Sequence, residues 1–510
     1  MIMLFNNKKK IVKSFFNICR NNKIYVFFLI KKRIEKKIIK LRFNNKEDYK
    51  FDFSKSYSQF LYSRLIHYNK NFNVKLINSL ANESTFYFYL PKDWLHEISK
   101  CGVKVNFYLS KILWTIYSLN FFFRFYIKTY FVVFFFLFKS NSKKVIYFNE
   151  SSFYIPKKLE KTFFPDFITF LSKVIKNSVK NILNKYSFAY SYDDHIKNLT
   201  ILNKLHLLIY LNFLFFKVLF LRLFKKNDLF LFFKELFFFN FFNYKKNLLP
   251  EYVFYSNSDL IYKPLWTYIK KNNLENNVYL YFYSDNFIPI NTKNKFKDLN
   301  NIIGFGLQSW KKYIFWNKNQ FLRFKKITNK KIDYLISPYS FIPFEGKNSI
   351  LKKRKKTLSI FDVHPMNLYG YSVFSDPKNI YTFTYCKKFI DDLVFLQNKY
   401  DFNLIIKSKL RNKNFNIFSK KYYEYLQSLK NKKIQILDKD ISAMSVIRIS
   451  DAVVSIPFTS PALLACSLNK KTCYYDPKSI ILDRFYRESE IKLISNTRNL
   501  DNWIYKNLVK

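Results

Sequence analysis

Near the carboxyl end of the chain an apolar run, Ala452–Ile456 (AVVSI), stops at Pro457, Phe458, Thr459, Ser460 and Pro461, and Ala462–Leu468 then reads as a short helix. Hydroxyls followed by proline at a helix start have a physical use. Ser460 suits the N-cap, and Pro461 suits the first helical position, where a missing N–H is no loss. The free N–H groups and positive dipole end that follow, with the hydroxyls of Thr459 and Ser460, favour an anion such as phosphate. The same residues serve equally as an ordinary capped helix without a ligand, so their neighbours decide. Lys407 and Lys409 follow the run Phe402–Ile406, with Arg411 just beyond. Asp362, His364 and Pro365 stand at the end of Leu358–Val363. A histidine titrates near neutrality and can hold phosphate or act as acid or base. Asp362 can orient it, act as base, or simply cap a turn. Asp476, after Thr472–Tyr475, can meet a ribose or cap the next helix.

These residues share a position, each just past a predicted strand. From residue 358 the pattern alternates regularly. Strands at Leu358–Val363, Phe402–Ile406, Ile434–Leu437, Ala452–Ile456 and Thr472–Tyr475 are separated by helical segments at Thr384–Tyr400, Ser419–Leu429, Ile441–Ile449 and Pro461–Leu468. Continuous apolar strands joined by helices predict a parallel sheet covered on both faces. In such sheets ligands bind beyond the carboxyl ends of the strands. The domains expected are 1–345, an α/β acceptor-side domain with hydrophobic helices; 346–357 (GKNSILKKRKKT), a basic linker; 358–480, a Rossmann-like domain; and 481–510, a helical tail.

The first part is less regular. Val145–Asn149, Tyr252–Tyr255, Val278–Tyr283 and Ile332–Ile336 read as strands, and Leu260–Lys271 as an amphipathic helix. Trp310, Tyr313 and Trp316 look like anchors. Ile112–Phe123, Thr129–Phe138 and Leu205–Phe216 are uncharged runs, the first two divided by Arg124 and Lys128. None reaches the ~18 unbroken apolar residues of a spanning helix. Phe-rich helices punctuated by Lys suit the bilayer interface, or the core of a soluble domain. Met1–Arg20 is broken by lysines and does not read as a signal peptide, so secretion is not expected.

Composition excludes several classes. Hydrophobic residues make up 49% of the 510, enough to bury a large core, so global disorder is out. Five glycines leave no room for G-x-G-x-x-G or G-x-x-x-x-G-K-[ST], neither of which occurs, so a phosphate site must rest on a helix start and lysines. The net charge of +53 is spread along the chain and accompanies abundant Lys, Asn, Ile, Phe and Tyr, the residues of AT-rich codons. It favours anionic lipid surfaces and anionic substrates, and no nucleic-acid motif accompanies it. Five separated cysteines with no C-x-x-C read as free thiols of a reducing compartment, and five histidines show no metal-ligand spacing.

Asp451–Ala465 (DAVVSIPFTSPALLA) with Lys471–Pro477 (KTCYYDP) resembles the bacterial polysaccharide biosynthesis proteins named for their PFTS motif, here Pro457–Ser460. Phe361–Pro365 (FDVHP) and Gly304–Trp316 are similar to the same family, over roughly residues 250–500. The resemblance implies an α/β fold of GT-B type, with two Rossmann-like domains facing a cleft and an aromatic-rich helical N-terminal region added. It implies a metal-independent glycosyltransferase of capsule, O-antigen or related surface glycan. The donor is a nucleotide sugar, CMP-linked or other, and the acceptor is lipid-linked or a glycan. In bacterial sialyltransferases an HP motif and a hydroxyl pair hold the donor phosphate, and His364-Pro365 and Thr459-Ser460 match that pattern by position; His364 and Asp362 are the catalytic candidates. Lys407, Lys409, Thr459, Ser460 and Asp476 are the donor-binding candidates. The departure is that His364 follows the first strand of its domain and Lys407-Ser408-Lys409 the second, so these two sites could exchange roles. No cofactor or metal is implied, and the expected location is the inner face of the cytoplasmic membrane. Two other classes stay open: a transferase of a CDP-linked polyol phosphate, and a non-catalytic basic scaffold binding membrane or nucleic acid.

Overall fold

The computed structural model describes residues 24–39, 53–67, 69–140, 143–148, 171, 175–176, 178–189, 191–222, 228–256, 261–269, 277–282, 307–308, 310–328, 332–337, 356–365, 382–407, 419–429, 433–437, 441, 443–457, 459–481 and 491–510. The expectations for Met1–Arg20, for linker residues 346–355 and for Lys409 lie outside them.

Two six-stranded parallel sheets organise the chain. The first contains β1 (Lys144–Phe148), β2 (Tyr186–Ala189), β3 (Tyr252–Ser256), β4 (Val278–Tyr281), β5 (Lys312–Phe315) and β6 (Asp333–Ile336), in the order β2-β1-β3-β4-β5-β6. The second contains β7 (Thr357–Phe361), β8 (Asn403–Lys407), β9 (Ile434–Leu437), β10 (Ala452–Ser455), β11 (Lys471–Tyr475) and β12 (Lys492–Ile494), in the order β12-β11-β10-β7-β8-β9. The second is the Rossmann order, with its reversal between β7 and β10. The two-Rossmann α/β class expected from the resemblance is therefore what the chain forms.

Helices α1 (Ile24–Ile39), α2 (Phe53–Tyr62), α3 (Lys70–Asn82) and α4 (Lys92–Ser99) gather around their own apolar cluster, which includes Phe27, Tyr62, Phe72 and Trp94. Next come α5 (Phe107–Phe135), α6 (Val179–Lys185), α7 (Tyr192–Lys197), α8 (Ile201–Arg222), α9 (Asp228–Tyr244) and α10 (Lys318–Thr328). Asn106 starts α5 by accepting the Leu109 N–H at 2.9 Å. The hydroxyls of Ser118 and Thr129 turn back onto carbonyls of their own helix, so neither leaves a bare polar group in an apolar setting. Tyr126 of α5 donates to Asn212 of α8 at 2.6 Å and stacks on Phe215, which joins the two helices.

In the second domain, α11 (Phe383–Tyr400), α12 (Lys420–Ser428), α13 (Ala443–Ile449), α14 (Ser460–Ser467) and α15 (Thr497–Ile504) cover the sheet. Leu358, Ile360, Leu404 and Val454 pack with α11, α12 and α15. Phe361, Ile405 and Val453 share a cluster with α13, α14 and residues of the first domain such as Trp316 and Phe321. Alternate strand residues thus feed opposite apolar layers, as a doubly wound sheet requires.

Three expectations are corrected. Leu260–Lys271 forms no continuous helix. Ile261–Ile269 holds a single 3-10 turn at Leu265–Tyr268, because Pro264 supplies no N–H and disfavours the helical region for Lys263. The C-terminal domain does not end near residue 480: β12 pairs with β11, and α15 belongs to the core. Thr357, placed in the linker, is the first residue of β7.

Candidate functional site

The reversal of strand order places the carboxyl ends of β7 and β10 side by side, with Ser455 paired to Phe361. Lys407 closes β8 opposite Phe361 on the other side. Beyond these ends lie Asp362–Pro365, Ile456–Pro457 and Thr459–Ser460, with Lys407 at the last position of β8. The sequence motifs singled out by residue type therefore converge at the crevice that doubly wound sheets use for ligands.

The loop after β7 is clamped from two helices. The Tyr422 hydroxyl of α12 donates to Asp362 at 2.9 Å. The Cys386 thiol of α11 donates to the Val363 carbonyl at 3.2 Å. His364 Nε2 meets the Ser419 carbonyl at 3.0 Å, which makes this nitrogen the donor, and the Ser419 N–H returns to the Pro365 carbonyl at 2.9 Å. His364 is 2% exposed and Asp362 is 4% exposed. Burial pushes the imidazole down to about 4, against a smaller opposing effect of the Ser419 carbonyl. His364 is neutral at physiological pH. Through these contacts Asp362 and His364 tie the β7 loop to α12.

Beyond β10 the helix start differs by one residue from expectation. Thr459 is the N-cap, Ser460 the first helical residue, and Pro461 follows within the first turn. The Thr459 hydroxyl makes no cap bond; it donates back to the Ile456 carbonyl at 2.9 Å, while the Thr459 carbonyl accepts from the Tyr474 hydroxyl at 3.1 Å. The start of α14 is therefore positioned by the strand and by β11, not neutralised by its own cap side chain. That is the arrangement in which helix-end N–H groups serve an anion. Lys407, a buried residue, ends the neighbouring strand.

Asp476 is not part of this surface. It is fully buried and accepts from the Tyr385 hydroxyl at 3.0 Å, the Lys478 N–H at 3.2 Å and the Ile481 N–H at 2.9 Å. Of the two readings the sequence left, contact with a ribose or capping of the next element, the structure gives a carboxylate that organises the turn after β11. The partners that sequence reasoning missed are Ser419, Tyr422 and Tyr385, which lie far from the motif residues along the chain. Only the helical periodicity of their segments signalled that they face inward. Among the described residues no three His, Cys, Asp or Glu side chains converge as a metal-binding group.

The strand order, with the PFTS segment at its reversal, defines a Rossmann-type domain joined to a second parallel α/β domain. The polysaccharide biosynthesis PFTS motif protein family matches residues 218–504, more than half of the chain, and the chain belongs to that family. No curated protein matches the sequence. Among solved structures, the chain is similar to the UDP-GlcNAc 2-epimerase of Methanocaldococcus jannaschii, solved with UDP-GlcNAc and UDP. The identity is 10% and the TM-score 0.33, over 54% of this chain and 74% of that one. It is also similar to an E. coli protein described as trehalose-6-phosphate bound with UDP-2-fluoro glucose, at 10% identity and a TM-score of 0.29, over 53% of this chain and 68% of that one.

Proposed function

We propose that the protein is a glycosyltransferase of surface polysaccharide assembly that takes its sugar from a nucleotide-sugar donor held at the β7–β10 reversal. The observation that carries this reading is the PFTS segment itself. In a member of a polysaccharide biosynthesis family, Thr459 and Ser460 open a helix at the strand reversal of a Rossmann sheet, with the Thr459 hydroxyl turned back to Ile456 instead of onto the helix. In this reading the donor phosphates sit at the start of α14, with the Ser460 hydroxyl as hydrogen-bond donor and Lys407 as counter-charge, and no metal takes part. Asp362 and His364 hold the β7 loop against the donor. The acceptor is a lipid-linked or growing glycan, and the enzyme works at the inner face of the cytoplasmic membrane. CMP-linked sugars are the first donors to test.

The direct test is calorimetry of the full chain against CMP-, UDP- and GDP-linked sugars, with Ser460→Ala as the variant. Removing one hydroxyl that bonds a charged phosphate costs about 1.5–3 kcal/mol. The affinity for the bound donor is expected to fall by roughly ten- to a hundredfold. Equal affinity of wild type and variant for every donor would remove the phosphate from this helix start.

A further inference from the structure

The first domain contains a second built feature at a strand end. A cavity of about 1120 Å³ lies where α5 passes α7, α9 and the β1–β2 edge. Tyr147 of β1 and Ser191–Asp193, just after β2, form its inner wall, so it too sits toward the carboxyl ends of parallel strands. Four cations line it: Arg64, Arg124, Lys128 and Lys234. Its one carboxylate, Asp193, pairs with Lys128 at 2.7 Å. Arg64 lies over Phe121 at 4.1 Å and Lys234 over Tyr192 at 4.2 Å. Arg124 has no carboxylate partner among the described residues. Burial lowers the Lys234 pKa, and Arg64 and Lys128 push the same way, while Glu235 and Asp193 oppose. Among the described residues, four cations line this cavity against Asp193 in its wall and Glu235 beside Lys234.

The outer wall is apolar and continues onto the surface. Phe131 and Phe135 line the cavity and are 57% and 72% exposed. They belong to a stripe along α5 that includes Ile112, Ile116, Phe123 and Ile127 and is continued by Phe138 just past its end. On α8, which packs beside α5, Leu205, Ile209, Phe213, Phe216 and Phe220 form a second exposed stripe at helical spacing. The opposite stripes of both helices, with Phe122, Leu211 and Phe215, are buried. Each helix is apolar on both faces, with protein covering only one. Water is a poor partner for the other, and the interface of an anionic bilayer matches both the apolar face and the adjoining cations. The Ile201–Phe220 segment is by length and composition able to cross a membrane. Its buried stripe nevertheless packs on α5 and α9 beside a sheet domain, which fits a helix lying along the surface.

We propose that this cavity binds the phosphate head of a membrane lipid, whose chains leave past Phe131 and Phe135 into a bilayer seated on the outer faces of α5 and α8. That the lipid is the acceptor rests on the transferase reading above; the lipid site itself does not.

The test is flotation of the full chain with phosphatidylcholine vesicles, with and without phosphatidylglycerol, in the presence and absence of excess inorganic phosphate. The wild type is expected to float with the anionic vesicles, and inorganic phosphate is expected not to release it. Arg124→Gln combined with Lys234→Met is expected to weaken anionic-vesicle binding on the order of ten- to thirtyfold, as the loss of two cations at a charged surface implies. Ile209→Asn with Phe213→Asn, both at exposed positions, is expected to abolish flotation. Failure of the wild type to float, unchanged binding by the Arg124/Lys234 pair, or release by inorganic phosphate would each overturn the proposal, the last by marking a site for a free anion. Calorimetry with nucleotide sugars on the same preparations separates the two readings. Donor binding without flotation leaves the transferase and removes the lipid site, and flotation without donor binding does the reverse.

Discussion

The two halves of this molecule use the same scaffold for opposite surfaces. Both are six-stranded parallel sheets dressed in helices, and both gather charged or hydroxyl residues near the carboxyl ends of strands. In the second domain the exposed faces of α11 and α12 carry ion pairs, Lys387 with Asp391, Lys388 with Asp392 and Lys420 with Glu424. In the first domain α5 and α8 turn phenylalanine and isoleucine outward instead. The difference shows that a parallel sheet dictates where a ligand can sit, while the outer face of its helices dictates what medium the domain meets. The proposed nucleotide site at the second sheet and the proposed lipid cavity at the first would divide the labour along that line.

The comparison breaks most severely at Asp476, which builds the second sheet's last turn. Asp476→Ala leaves the Tyr385 hydroxyl and the Ile481 and Lys478 N–H groups without their acceptor. The expected loss is roughly 3–5 kcal/mol of stability, concentrated in the second domain. Urea denaturation read by a probe in each domain would show it. An equal loss in the first domain would mean the two sheets unfold as one unit.

Next in size is an acid response that both domains share. His364 in the second domain and His195 in the first are each 2% exposed, and burial lowers each to about 4 from the usual 6.5. A depressed histidine binds its proton more readily in the unfolded chain. Stability from each group is complete above about pH 6.5 and is lost as the pH falls toward about 4, by roughly 3 kcal/mol per histidine. Denaturation at about pH 7.5 and about pH 4.5 measures this. His364→Gln is expected to remove the part of the acid sensitivity that belongs to the second domain and leave the His195 part intact. A variant as acid-sensitive as the wild type would assign the effect elsewhere.

The second domain was largely legible in the sequence, and the reason is physical. Its strands are buried on both faces and read as unbroken apolar runs. Its helices carry one inward stripe, and Thr382 and Ser419 cap two of them by accepting the Tyr385 and Tyr422 N–H groups. Only β12, three residues long, gave too little pattern to find. At the site, position along the strands was legible but engagement was not. Nothing local to His364, Asp362 or Asp476 announces Ser419, Tyr422 or Tyr385, because those bonds join segments separated by 55, 60 and 91 residues. The first domain resisted for the opposite reason. Helices apolar on two faces erase the periodicity that marks an inside and an outside. The cationic cavity did leave one trace. Arg124 and Lys128, four residues apart, interrupt two apolar runs on the same helix face.

The smallest effect tests how α5 and α8 are held. Lys204 of α8 is buried and donates from Nζ to the carbonyls of Phe136 at 2.7 Å and Lys197 at 3.0 Å, and also to that of Lys139. These bonds tie α8 to the C-cap residue of α5, to the turn after it and to the last residue of α7, and a positive charge is favoured at helix C-terminal ends. Lys204→Met keeps the length and apolar stem of the side chain but leaves those carbonyls without the ammonium. The expected cost is about 2 kcal/mol, confined to the first domain and visible in thermal unfolding. Donor binding at the β7–β10 reversal should be unchanged. Flotation with anionic vesicles should weaken only as far as the α5–α8 pair loses its fixed geometry. Loss of donor binding in this variant would show that the two surfaces are coupled through the shared apolar cluster of Trp316, Phe321 and Phe361, and the division of labour between the sheets would then be one of place but not of energy.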